Sequence, residues 1–494
     1  MRQHIVNLAI VSLALTGGSV LGAAAKPERP GWQALFDGAT MNGWKASEHP
    51  ESWSVKDGML SCRGDRAHLF YMGPIQQAQF TDFEAEFEVL TQTGANSGVY
   101  FHTAWQDSGW PVQGFEMQVN NHQPHFPGDS GDTYIENKKT GSLYGVRNAY
   151  KALARDNEWF TLKLRVQGPR VRIHVNDTLV VDYLEPEGEV AGLPTPLQKI
   201  GKGTFALQCH DGKSQVQYRR IAVHPLPPAP APATRAPNPD PAFATRYRLA
   251  RDNFPLVDLR ALDVKDAGTL EAALAAARGG ALFVGVTASA GKTRTVKDDA
   301  GVDALVKRYG GKPLFLGLRA DERGWAHAIT PKALARLDFV LLDGETLIAR
   351  LPKTTASTDP QAYGDAVLAA TISAITREPI DIYGAPLFLP ATFVGQRDAI
   401  WNEARQQQLI DALVTHRVAI EINGALQLPG EAFVRKAKAA GAKFTLGRCA
   451  VDTSAGEYCF GLREKVGLSW RDMYEPGHAP PRGANARPSA GVLP

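Results

Sequence analysis

The chain has 494 residues, too many for one ordinary core, so at least two domains are expected. Its 44% hydrophobic and 21% charged residues suit a globular protein. A net charge of +3 with no dense Lys/Arg run argues against nucleic acid as a partner.

The start reads as a signal peptide over residues 1–25. Met1-Arg2-Gln3-His4 is a short basic opening, Ile5 to Leu21 is largely apolar, and Ala23-Ala24-Ala25 offers the small residues of a cleavage site. Thr16-Gly17-Gly18-Ser19 breaks the apolar run before the ~20 residues that a membrane span needs. No later segment is apolar enough to cross a membrane, so a periplasmic or secreted protein without a span after cleavage is predicted.

Residues 26–224 carry a strand pattern: FEAEFEVL (83–90), SGVYFHTAW (97–105), GFEMQVNN (114–121), FTLKLRVQG (160–168), RVRIHVND (170–177), TLVVDY (178–183), GTFALQCH (203–210) and QVQYRRIAV (215–223). Short alternating segments divided by Gly, Asn and Asp predict an all-β sandwich, with a hairpin turning at Asn176-Asp177. Residues 225–245 open with PLPPAPAPATRAPNPDP, a proline density that favours an extended linker.

The next domain spans 246–475. Leu270 to Arg278 and Glu431 to Ala440 read as helices; Ala281 to Val286, Pro313 to Leu318, Asp338 to Leu342 and Val418 to Ile422 read as strands. The alternation predicts an α/β parallel sheet or barrel. Residues 476–494, rich in Pro, Gly and Ala, have the composition of a disordered tail.

Four cysteines are present. Cys449 and Cys459 flank Ala450–Tyr458, which reads as a loop short enough to close, so a disulfide is predicted there. Cys62 and Cys209 both follow a leucine at strand spacing and should point into the sandwich core, as a second bond or as two buried thiols.

Strand alternation sorts candidate site residues. Phe115, Met117 and Val119 share one face of their strand, and Glu116, Gln118 and Asn120 the other. Tyr100 with His102, and Gln208 with His210, oppose apolar neighbours in the same way. These side chains offer a carboxylate, two imidazoles and amides, which suit a sugar and acid–base chemistry; an ordinary solvated outer face would alternate identically. The loop Asn121–Asp132 has two His and two Asp; no cofactor is required, and a divalent metal there is left open.

Several motifs resemble the 3-keto-disaccharide hydrolase family: Phe36-Asp37-Gly38, Gly43-Trp44, Trp53 with Asp57-Gly58, Ala95-Asn96-Ser97-Gly98-Val99-Tyr100-Phe101, Gly114-Phe115-Glu116-Met117-Gln118, Thr140-Gly141-Ser142-Leu143-Tyr144, Glu158-Trp159, Leu207-Gln208-Cys209-His210 and Tyr218-Arg219-Arg220-Ile221. The resemblance implies a concanavalin-like jelly roll that cleaves 3-keto-glycosides by lyase and hydratase steps. It implies Glu116, His210 and Tyr144 as catalytic residues, Glu116 or His210 being base or acid. Tyr100, His102, Gln118, Asn120, Gln208 and Arg219 would contact an oligosaccharide or glycoside. The family usually has Arg where His102 stands, Asp where Asn120 stands and Asn where Arg220 stands.

Gly285 to Thr293 resembles a phosphate loop, but Val286 occupies the position of its first glycine, so nucleotide binding is not expected. Val418–Asn423, Leu428-Pro429 and Ala437–Gly447 are similar to late strands of the PHP-like metal-dependent phosphoesterases. That resemblance implies a distorted α/β barrel with a histidine-rich metal cluster. Asp258 and Arg260 occupy the opening His-x-His positions, and only His327 and His416 lie in the barrel, so no metal centre is expected. Two other functions stand beside cleavage of 3-keto-glycosides: a non-catalytic carbohydrate-binding protein with Trp105 and Trp110 against sugar faces, and an accessory to an active barrel. The first differs from an enzyme in whether Glu116 and His210 converge.

Overall fold

A computed structural model describes residues 29–121, 136–187, 197–229, 241–264, 270–271, 274, 282–291, 294–347, 350–351, 359–449 and 453–477. The predicted signal peptide, the loop after Asn121, most of the Leu270–Arg278 helix and the tail after Gly477 lie outside them.

Among the described residues the N-terminal strands are β1 (Gln33–Ala34), β2 (Trp44–Ser47), β3 (Trp53–Lys56), β4 (Met59–Arg63), β5 (Ala67–Tyr71), β6 (Phe83–Thr91), β7 (Ser97–Thr103), β8 (Phe115–Val119), β9 (Phe160–Gln167), β10 (Arg170–Val175), β11 (Thr178–Leu184), β12 (Thr204–Cys209) and β13 (Gln215–Pro225). They form two antiparallel sheets. One runs β11-β10-β9-β6-β13-β4-β3, with β1 also paired to β13; the other runs β2-β5-β12-β7-β8. The sandwich read from the sequence is therefore present. Asn176 and Asp177 turn the β10–β11 hairpin with φ of 46° and 66°, the left-handed pair that a tight two-residue turn requires.

The two sheets differ on their outer faces. In β9, Phe160, Leu162, Leu164 and Val166 are buried while Thr161, Lys163, Arg165 and Gln167 are partly exposed. In β7, β8 and β12 every residue is buried. The outer face of the five-stranded sheet is thus covered rather than solvated. Segment 140–144 bonds along the outer edge of β8 and extends the sheet: Tyr144 N donates to Glu116 O at 2.9 Å and Gln118 N to Ser142 O at 3.0 Å.

The helix α1 (Pro241–Arg251) begins inside the stretch read as linker. Beyond it come β14 (Val257–Asp263), β15 (Phe283–Ala290), β16 (Phe315–Ala320), β17 (Phe339–Asp343), β18 (Ile382–Gly384), β19 (Ala419–Asn423) and β20 (Phe444–Gly447). They pair in parallel and close into a seven-stranded barrel, the ring being completed where Asp258 meets Leu446. The glycine–lysine stretch from Gly285 is strand through Ala290.

Cys449 and Cys459 form the expected disulfide, with α-carbons 6.1 Å apart. The intervening residues are not simply a loop: a helix runs Thr453–Val466 and carries Cys459. Cys62 and Cys209 are buried free thiols, which removes the second bond. They face each other from opposite sheets, on β4 and β12.

Candidate active site

A cleft of about 540 Å³ opens on the covered face of the five-stranded sheet. Tyr100, Glu116, Gln118, Tyr144, Gln208 and His210 all line it, together with Glu136 and Trp110. Six of the nine site residues expected from the sequence therefore converge.

Glu116 lies on the floor. Register pairing sets Tyr100 opposite it, and Tyr100 Oη donates to Glu116 Oε2 at 3.0 Å. Gln208 Nε2, from β12, donates to Oε1 at 3.1 Å. The Gln118 amide satisfies its neighbours with nitrogen toward Ser97 O and Glu116 Oε1, at 3.0 and 3.1 Å. Burial pushes the Glu116 carboxyl up to about 7, partly offset by the Tyr100 hydrogen bond. A side chain at Gly98 would collide with the Glu116 carboxylate, so glycine there makes its room.

His210 follows β12 at the edge of the cleft. Its Nδ1 lies 2.7 Å from Asp211 Oδ2, and its ring packs 5.1 Å from that of Trp110. The His210 hydrogen bond pulls the Asp211 carboxyl well below the usual range. With Nδ1 engaged by a carboxylate, Nε2 is the nitrogen left to exchange a proton with a ligand. Tyr144 Oη donates to Glu136 Oε2 at 2.9 Å, and the buried Lys138 ammonium stands 4.5 Å from the Tyr144 ring centre.

Three expected residues lie elsewhere. His102 has φ of 54°, next to a register shift between β7 and β12. Strict alternation fails there. Its Nε2 sits 2.8 Å from Thr81 O and its Nδ1 accepts from Gly201 N at 3.2 Å. Burial lowers its pKa to about 4, so the ring is neutral. Asn120 Nδ2 donates to Glu136 O and Lys138 O, at 3.0 and 3.1 Å, tying together the two ends of the following excursion. Arg219 sits at a bulge between Tyr218 and Arg220 in the eight-stranded sheet. It pairs with Glu88 at 2.6 Å and lies 4.3 Å over Trp159.

Sequence reading missed Glu136, Lys138 and His68. His68 is buried against the rings of Tyr100 and Trp110, each 5.5 Å away, and burial lowers its pKa to about 4. Its place two residues from Phe70 on one strand face was the available signal. Glu136 and Lys138 sit in irregular backbone, where no periodicity announces them.

At the end of the barrel, Arg260 lies between carboxylates. It bonds Asp343, stands 3.5 Å from Glu345 and is 3.6 Å from Glu421. Glu421 also accepts from Ala385 N at 2.7 Å, and Asp258 from Arg448 N at 2.9 Å. A guanidinium already occupies the centre of these acids, so they do not fit a metal cluster. His327 is exposed on a short 3-10 turn and His416 contacts Thr376 at 3.3 Å, both apart from that centre.

Residues 31–224 match the family model described as the 3-keto-alpha-glucoside-1,2-lyase-like domain. A Bacteroides thetaiotaomicron 3-keto-disaccharide hydrolase is 28% identical over 171 residues, covering 31% of this chain and 58% of the relative. The chain thus spans little more than half of that curated relative. A candidate glycosyl hydrolase from Parabacteroides distasonis aligns at 20% identity and a TM-score of 0.34, over 40% of this chain and 94% of that one. A Bacillus subtilis carbohydrate-binding module aligns at 16% identity and a TM-score of 0.26, over 37% of this chain and 95% of that one. Over residues 31–224, then, the chain is similar to the 3-keto-disaccharide hydrolases.

Proposed function

We propose that the cleft cleaves 3-keto-glycosides by elimination. The observation that carries this reading is one buried carboxylate, Glu116, poised near neutrality in the same cleft as the Asp211-oriented His210. A pure binding site has no use for a costly buried carboxyl that titrates near pH 7.

A ketone at carbon 3 acidifies the hydrogen on carbon 2. The Glu116 carboxylate takes that proton, and the C–H electrons form an enolate across carbons 2 and 3. The Tyr100, Gln208 and Gln118 donors all address the ionised form of Glu116, which favours the role of base. The enolate returns its electrons to form the carbon 1–carbon 2 double bond and expels the glycosidic oxygen. His210 supplies the leaving group's proton from Nε2. Tyr144, its hydroxyl turning from Glu136 to the substrate with the Lys138 ammonium behind it, offsets negative charge at the enolate oxygen. Water can then add across the new double bond: its hydroxyl goes to carbon 1, its proton to the now neutral His210, and Glu116 returns its proton to carbon 2.

The Cys449–Cys459 disulfide supports export to an oxidising compartment. We read the barrel as PHP-like and non-catalytic, on the strength of the charges that Arg260 already engages.

The test is incubation with aryl 3-keto-glucosides, watching for released aglycone and for an enone chromophore. Wild-type protein should give both, and Glu116→Gln should lose at least ~100-fold in kcat. Undiminished turnover by Glu116→Gln removes this residue from the mechanism; binding without turnover by the wild type favours the carbohydrate-binding alternative.

A further inference from the structure

The cleft belongs to the sandwich, yet one of its supports comes from the other side of the linker. Lys138 Nζ is fully buried and donates to three acceptors. Two are the cleft residues Glu136, at 3.0 Å to Oε1, and Tyr144, at 3.4 Å to Oη. The third is Asn253 Oδ1 at 3.0 Å, from the turn that follows α1. An ammonium has three N–H groups, so these three acceptors complete it. Tyr144 in turn donates to Glu136 Oε2, so that the ammonium and the two cleft groups close a three-membered ring.

Asn253 is itself firmly placed. It is buried, and its left-handed φ of 62° is a conformation that Asn and Gly tolerate. Its carbonyl oxygen accepts from Asn137 Nδ2 at 2.7 Å. Around it, Tyr150 Oη donates to Phe254 O at 3.4 Å, Arg147 to Tyr247 Oη at 3.0 Å, and Lys151 pairs with Asp338 at 2.7 Å. The second domain is therefore docked against the segment that carries Glu136, Lys138 and Tyr144.

We propose that Asn253 is a positioning residue for the cleft: the C-terminal domain completes the Lys138–Glu136–Tyr144 ring and so sets the charge facing the enolate. This rests on the elimination reading above. It gives the barrel a role that needs no chemistry of its own.

The experiment uses the full-length protein with Asn253→Gly and Asn253→Asp. Glycine accepts the positive φ but removes the acceptor; aspartate accepts the φ and keeps an oxygen for Lys138. With an aryl 3-keto-glucoside, Asn253→Gly should lose about tenfold in kcat with KM within about twofold, the scale of one hydrogen bond to a charged group. Asn253→Asp should restore most of it. Hydrogen exchange supplies a readout free of activity: amides of 136–145 should lose protection in Asn253→Gly and regain it in Asn253→Asp. A glycine variant with wild-type kcat and unchanged protection overturns the proposal, as does an aspartate variant equally impaired. If the wild type turns over no 3-keto-glucoside, the elimination reading fails by itself, and exchange over 136–145 still decides the positioning role.

Discussion

Tyr100 and Glu116 are register partners on adjacent strands, and the tyrosine hydroxyl donates to the carboxylate at 3.0 Å. The bond favours the ionised carboxyl, while burial favours the neutral one and prevails, leaving the pKa at about 7. In Tyr100→Phe the opposing bond is gone. The acid limb of the kcat/KM–pH profile should move to higher pH, with about tenfold less activity at pH 6. A profile superimposable on wild type would separate Glu116 from the acid limb.

The same carboxyl affects stability. Its folded pKa of about 7 exceeds the ordinary 4.5. The stabilising contribution of neutral Glu116 is thus full below about pH 4.5 and lost as pH rises through about 7. Glu116→Gln cannot titrate. Its unfolding free energy should fall less between pH 4.5 and 7.5, by on the order of 3 kcal/mol, in denaturant titrations at the two pH values.

Gly98→Ala should displace the Glu116 carboxylate, because the added methyl falls on it. The expected outcome is loss of most turnover and about 1–3 kcal/mol of stability. Turnover and thermal unfolding measured together check it; an active, equally stable variant would mean the carboxylate has another resting place.

In the barrel, Arg260→Met leaves Asp343 and Glu421 buried without their cation. Removing one partner of a buried ion network costs about 3–5 kcal/mol. Melting curves of the variant and the wild type test it, and equal stability would mean that the acids need no cation there.

The cysteines divide by environment. Cys449 and Cys459 should be recovered as one linked peptide, and their joint replacement by serine should cost about 2–4 kcal/mol. Cys62 and Cys209 should alkylate only after unfolding, since both thiols are buried and the neighbouring Cys209 thiol, together with burial, raises the Cys62 pKa. Alkylation of either in the native protein would contradict the packing.

The sequence by itself determined the two-domain plan, the alternating strands, the Asn176-Asp177 hairpin and the Cys449–Cys459 pairing. Apart from the domain count, which follows from length, each depends on residues close in the chain, where the period of two along a strand or a separation of ten residues is enough. It also placed Glu116, Gln118, Tyr100 and Gln208 on one face, because the strands that carry them are regular there. Tertiary structure decided the rest. A bulge at His102 turned that candidate out of the site, and such a register shift leaves no mark on hydrophobic period, while Arg219 stands on β13 in the sheet opposite the cleft. Only packing shows that 140–144 extends the sheet beyond β8 and that the polar face becomes a cleft. The Lys138–Asn253 contact joins residues 115 positions apart through a single hydrogen bond, which no local pattern encodes.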